Sequence, residues 1–117
     1  MEIVLETPRD HLTILRVKGR VDASTSAQLE RVVQGAFEGG RKACVLNLGG
    51  VDYLSSAGIR VLMIGAKKAN FIGGAFILCA VRPPVTGILG MVGLDPLFQS
   101  FADEESAVRA AEKVGVA

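Results

Sequence analysis

The sequence predicts an α/β domain: a mostly parallel sheet of roughly four to five strands, an antiparallel N-terminal edge and about four helices. Two short apolar runs carry that expectation, Ala43–Leu48 and Ala75–Ala80. Strands covered on both faces lose the polar alternation that half-exposed strands keep. Segments of helical period separate and follow these runs, the order that parallel crossovers require. With 117 residues, 50% apolar and 21% charged, the chain is sized for one globular domain, expected over 1–117.

Glu2 to Glu6 alternates polar and apolar residues, and Pro8-Arg9-Asp10 predicts a turn. His11 to Lys18 alternates again, so the two segments are expected to pair antiparallel with one solvated face. His11 itself is expected at the surface, at the start of the second strand. Gly19 interrupts the pattern, and Thr25 and Gln28 have the spacing of a capping box. Leu29, Val33, Ala36 and Phe37 then recur at helical spacing, closed by Gly39-Gly40. After Ala43–Leu48, a second helical pattern runs from Ile59 to about Asn70, followed by Gly73-Gly74 and the second apolar run. Pro83-Pro84 opens a third helix with Val85, Ile88, Leu89 and Val92 in register. Leu97–Phe101 predicts a last short strand. Glu104 to Val114 predicts an amphipathic helix with Ala107, Val108 and Ala111 inward and Glu104-Glu105 at its positive end.

Several function classes lack the residues they need. Thirteen Lys+Arg against twelve Asp+Glu leave a net charge of +1, so no basic excess exists to neutralise nucleic-acid phosphates. No apolar stretch approaches the roughly 20 residues of a membrane span, so no membrane insertion is expected. The segment Met1-Glu2-Ile3-Val4 lacks the basic and apolar regions of a secretory signal. Cys44 and Cys79 lie in apolar runs, which predicts buried thiols rather than a disulfide framework and points to the cytoplasm. With one histidine and no Cys-x-x-Cys spacing, a His/Cys metal site cannot be assembled. No nucleophile elbow, phosphate loop or dinucleotide fingerprint is present. Catalysis is not expected, and neither is a metal or cofactor.

The candidate site is the turn Leu54-Ser55-Ser56-Ala57-Gly58. It lies where a strand's carboxyl end meets a helix N-terminus, the place where functional groups collect in sheets of this kind. Unpaired N–H groups and the positive end of the helix dipole meet there. One serine is expected to serve as N-cap. On a helical wheel Ile59, Leu62, Met63, Ala66 and Ala69 face the sheet. Arg60, Ile64, Lys67 and Lys68 fall on the opposite side with Val61 flanking them, which suggests a small docking face of mixed cationic and apolar character.

Three segments together, Gly19-Arg20-Val21-Asp22, Val45-Leu46-Asn47-Leu48 and Val51 through Leu62, resemble the STAS domain of bacterial anti-sigma factor antagonists. The resemblance covers nearly the whole chain, and its specific part is the apolar-Ser-Ser-Ala-Gly-apolar-Arg segment. It implies a STAS-like fold and a partner switch. In such proteins a partner serine kinase, which is also the anti-sigma factor, phosphorylates a serine at this turn. Only the unmodified antagonist binds the kinase and frees the sigma factor, and a serine phosphatase restores it. Aligning Gly58 with the family's glycine places the acceptor at Ser56, with Ser55 as the alternative. Where many members have aspartate before the acceptor and Ser or Thr after it, this chain has Ser55 and Ala57. Asp22 matches the acidic residue that lies beside the acceptor and supports kinase recognition; helping to cap the first helix is its other expected role. The implied partner face comprises Asp22, Ser55, Ser56, Ala57, Gly58, Arg60, Val61, Ile64, Lys67 and Lys68. An accessory subunit of a lipid or anion transport system is the alternative function, because STAS domains also serve there.

Overall fold

A computed structural model describes residues 1–114, so the last three residues of the expected domain lie outside it. The chain runs β1 (Glu2–Arg9), β2 (Leu12–Lys18), α1 (Ser26–Gly35), β3 (Ala43–Gly50), α2 (Ser56–Ile72), β4 (Ala75–Cys79), α3 (Pro83–Met91), β5 (Gln99–Phe101) and α4 (Glu104–Glu112). The five strands lie in sequence order, antiparallel between β1 and β2 and parallel from β2 to β5. The α/β architecture with an antiparallel N-terminal edge is therefore the one expected.

Side chains alternate between two apolar layers. Leu15, Cys44, Leu46, Leu48, Phe76 and Leu78 pack beneath the first three helices. On the other face Leu12, Ile14, Val45, Ile77 and Cys79 meet Ala107 and Ala111 of α4. The two cysteines are buried and unpaired, one on each face. An inter-element network ties α4 down at that second face. Arg16 donates two hydrogen bonds of 2.8 Å to the Glu104 carboxylate and one of 2.9 Å to Glu6, and Asn47 Nδ2 donates to Glu104 at 3.0 Å.

Several local expectations change. β1 continues through Pro8 to Arg9, with a register irregularity after Glu6. An edge strand tolerates proline because one row of its N–H groups has no ladder partner. Far from having a solvated face, β2 is buried along Leu12–Leu15, since β3 covers its second edge and helices cover both faces. His11 is half-buried rather than a surface residue, with its Nε2 enclosed. Thr25 is the N-cap of α1 but forms no capping box. Its hydroxyl instead donates to Arg20 O at 2.9 Å and accepts from Asp22 N at 3.0 Å. α2 begins three residues before the expected Ile59 and continues to Ile72. Leu97 belongs to a single 3-10 turn, Asp95–Leu97, so β5 starts only at Gln99. Val92 caps α3 and is exposed rather than packed inward. Ala80 leaves the strand with φ +55°, a left-handed conformation uncommon for alanine.

Candidate functional site

Parallel strands place the ends of β2, β3 and β4 at one edge of the sheet, where the segments into α1, α2 and α3 emerge. Two of them continue as a short extension of the ladder. Val21 bridges to Leu54, Val21 N donates to Tyr53 O at 3.2 Å, and Ser55 N donates to Val21 O at 2.8 Å. Val21 and Leu54 point into the core, so alternation turns Arg20, Asp22, Tyr53 and Ser55 outward together. The Arg20 guanidinium stacks over the Tyr53 ring at 4.3 Å and approaches Asp22 Oδ2 at 3.8 Å.

Asp22 closes its own turn: Oδ1 accepts from Ser24 Oγ at 2.7 Å and from Ser24 N at 2.9 Å. Those bonds hold its carboxyl below the usual carboxylate range. Asp22 therefore stands charged next to Val21, and so next to the Ser55 turn. Its backbone oxygen also accepts from Thr25 N and Ser26 N, which supports the entry to α1.

The two serines differ. Ser55 is the N-cap of α2, with extended backbone, and its Oγ accepts from Gly58 N at 3.3 Å. Ser56 is the first helical residue and is exposed, with no side-chain hydrogen bond among the described residues. No acidic residue occupies the first turn of α2, so no side chain of that turn compensates its positive end. Gly58 is required by close packing, because a Cβ there would lie 2.9 Å from Val21 Cγ1 and 3.0 Å from Val21 O.

The expected docking face is partly corrected. Ser56, Arg60, Lys67 and Lys68 are exposed, while Ala57 and Ile64 are half-buried. Val61 is only 1% exposed and belongs to the core. The physical reason is that α2 contacts α1 as well as the sheet, so its buried arc is wider than one sheet-facing stripe. Gly58 is buried too. Conversely, Phe71 is 87% exposed near the C-terminal end of α2, and sequence reasoning did not single it out. The Arg20–Tyr53 stack was also missed. Both residues lie within the quoted segments, but only the Val21–Leu54 bridge brings them together.

The model of the STAS domain family matches residues 2–107. The chain belongs to the STAS domain family. Among STAS relatives, the candidate anti-sigma factor antagonist BtrV of Bordetella bronchiseptica is 32% identical over 101 residues, covering 86% of this chain and 87% of BtrV. The anti-sigma F factor antagonist of Paenibacillus polymyxa is 31% identical over 117 residues and 97% of each chain. The STAS fold is also that of SpoIIAA of Bacillus. Its unphosphorylated form aligns at TM-score 0.81 and 20% identity, covering 98% of this chain and all of SpoIIAA. Its phosphorylated form aligns at TM-score 0.72 and 20% identity, covering 93% and 99%. No helix among the described residues of this STAS domain is long and apolar enough to cross a membrane.

Proposed function

We propose that this STAS domain is an anti-sigma factor antagonist that acts by binding, not by catalysis. Its unphosphorylated form binds a cytoplasmic anti-sigma factor with serine kinase activity and frees the sigma factor. Phosphorylation of Ser56 abolishes that binding, and a serine phosphatase restores it. The partner surface is the end of the sheet around Asp22 and Ser55–Gly58, continued along α2 by Arg60, Ile64, Lys67 and Lys68. One observation carries the reading: Ser56 presents an exposed hydroxyl at the head of a cationic helix face, while Ser55 is engaged as the cap. Relatives named as anti-sigma factor antagonists support the role. SpoIIAA, solved in a phosphorylated form, supports the view that this fold accommodates the modification.

The switch needs no rearrangement of the domain. Phosphate brings about −1.5 to −2 charges and three acceptor oxygens. Within the free protein those oxygens meet the positive end of α2 and its unpaired first-turn N–H groups. At an interface the same dianion must be desolvated beside the partner and near Asp22, which is already charged. A hundredfold loss of affinity corresponds to only about 2.7 kcal/mol.

Incubation with the cognate kinase and ATP, followed by phosphopeptide mapping, tests the acceptor. Label on Ser56, with Ser56→Ala bound to the kinase but not released by ATP and Ser56→Asp bound poorly, is the expected result. Label on Ser55 instead would move the acceptor by one residue. Absence of label on both serines, with permease components recovered by affinity capture, would replace the switch by the transport role.

A further inference from the structure

The helical layer that covers one face of the sheet is incomplete. Between the C-terminal half of α2 and the β4–β5 edge lies an open groove of about 450 Å³, within the size range of small-molecule sites. Its origin is local. Gly65 lets α2 settle against the Phe76 ring, which a Cβ there would approach to 2.7 Å. Beside it and one turn further on, Ala66 and Ala69 are too short to fill the space that opens toward Leu97. Phe76 and Phe98 line the groove and are only 6% and 8% exposed, whereas Leu97 is 60% exposed at its far wall.

The polar groups are few and of one electrostatic sense. Lys67, Asn70 and Gln99 line the groove, and among the described residues no acidic side chain does. Lys67 is exposed and makes no ion pair among the described residues. A groove with apolar side chains and one free ammonium complements an apolar body carrying a single negative charge. The amides of Asn70 and Gln99 supply donors beside that charge. A cationic amphiphile of the same length meets the Lys67 charge with the wrong sign.

We propose that this groove binds a free medium-chain monocarboxylate, with its chain over Phe76 and Phe98 and its carboxylate paired to Lys67. The site is separate from the Ser56 turn, although both lie on α2. About 16 Å of helix, 11 residues at 1.5 Å each, separates Ser56 from Lys67. The proposal does not depend on phosphorylation.

Titration of the uniformly ¹⁵N-labelled chain with sodium octanoate, followed by amide chemical shifts, tests it. Saturable shifts are expected to cluster at Ala66–Asn70, Gly74–Phe76 and Leu97–Gln99, and octyltrimethylammonium is expected to produce none. Lys67→Glu should weaken octanoate binding at least tenfold, and Ala66→Leu should abolish it by filling the groove. If Ala66→Leu does not fold, the exposed Lys67→Glu variant decides alone. Shifts that are absent, or that spread over β1 and α4, overturn the proposal. So does equal affinity for octanoate and the ammonium, or octanoate affinity unchanged in Lys67→Glu. Because Lys67 also belongs to the proposed partner face, kinase labelling of Ser56 is scored in the wild-type chain without octanoate, so failure of this site and failure of the switch are distinguishable.

Discussion

Replacing Ser55 with alanine removes an acceptor from Gly58 N at 3.3 Å, whereas replacing Ser56 removes a hydroxyl that faces solvent. The two substitutions are therefore expected to separate stability from regulation. Ser55→Ala should lose about 0.5–1 kcal/mol in urea denaturation, the low side of the N-cap range because the bond is long. Ser56→Ala should stay within about 0.5 kcal/mol of wild type while losing the proposed phosphorylation. Equal stability losses would mean that the cap is shared between the serines. The cysteines answer to burial in the same way. Desolvation pushes Cys44 up to about 12 and Cys79 up to about 11, so both remain thiols at neutral pH. Ellman's reagent is expected to label neither in the native protein and both after denaturation. Rapid native labelling would contradict the packing around them.

At the scale of elements, α2 is positioned by what two of its glycines lack. A Cβ at Gly58 meets the side chain and carbonyl of Val21, and one at Gly65 meets the Phe76 ring. Neither the Val21 backbone nor the buried ring moves freely, so Gly58→Ala and Gly65→Ala should each cost about 1–3 kcal/mol despite alanine's better helix propensity. A measured gain in stability at either position would show that α2 lies further from its neighbours. Ala80 presents the opposite case, an alanine where glycine belongs: at φ +55° it carries the left-handed penalty of about 1–2 kcal/mol. Ala80→Gly relieves it, less the entropy that glycine loses on folding, for a net gain of up to about 1 kcal/mol in thermal or urea denaturation. A loss of stability would mean that the turn after β4 is not strained. Helix and strand identities were visible in the spacing of apolar residues, but the start of α2 was not. Ser56, Ala57 and Gly58 carry no periodic signal, and the Val21–Leu54 bridge sets the entry angle. The capping box failed for a related reason: Thr25 lies within reach of Arg20 O and Asp22 N and satisfies those groups instead.

Across the whole molecule, Arg16 joins β1, β2 and α4 through Glu6 and Glu104, with Asn47 of β3 as the third donor to Glu104. The Arg16 guanidinium and the Asn47 amide together hold the Glu104 carboxyl below its ordinary value of 4.5. Because the folded protein binds that proton less tightly than the unfolded chain, the resulting stability is fully present above that ordinary value. It is lost as pH falls through the lower, folded one. Glu104→Gln is thus expected to melt below wild type at neutral pH, with the gap narrowing steadily on acidification below about pH 4.5. A gap that stays constant with pH would mean that the charge of Glu104 contributes nothing and only its shape matters.

The amino-acid order alone determined the α/β class, the antiparallel edge, the buried thiols and the motif around Ser55 and Ser56, because periodicity and local chemistry are properties of neighbours along the chain. It also determined which residues could be cationic on α2. Which of them reach solvent was decided by tertiary packing. Val61 was lost to the core when α1 closed over α2, and Phe71 was left outside because its side of α2 turns away from the core, while Ala69 and Ile72 pack inward. The division of labour between two adjacent serines was decided in the same way. A single backbone bond, Ser55 N to Val21 O, couples residues 34 positions apart, and no local pattern encodes a contact whose partner is that distant.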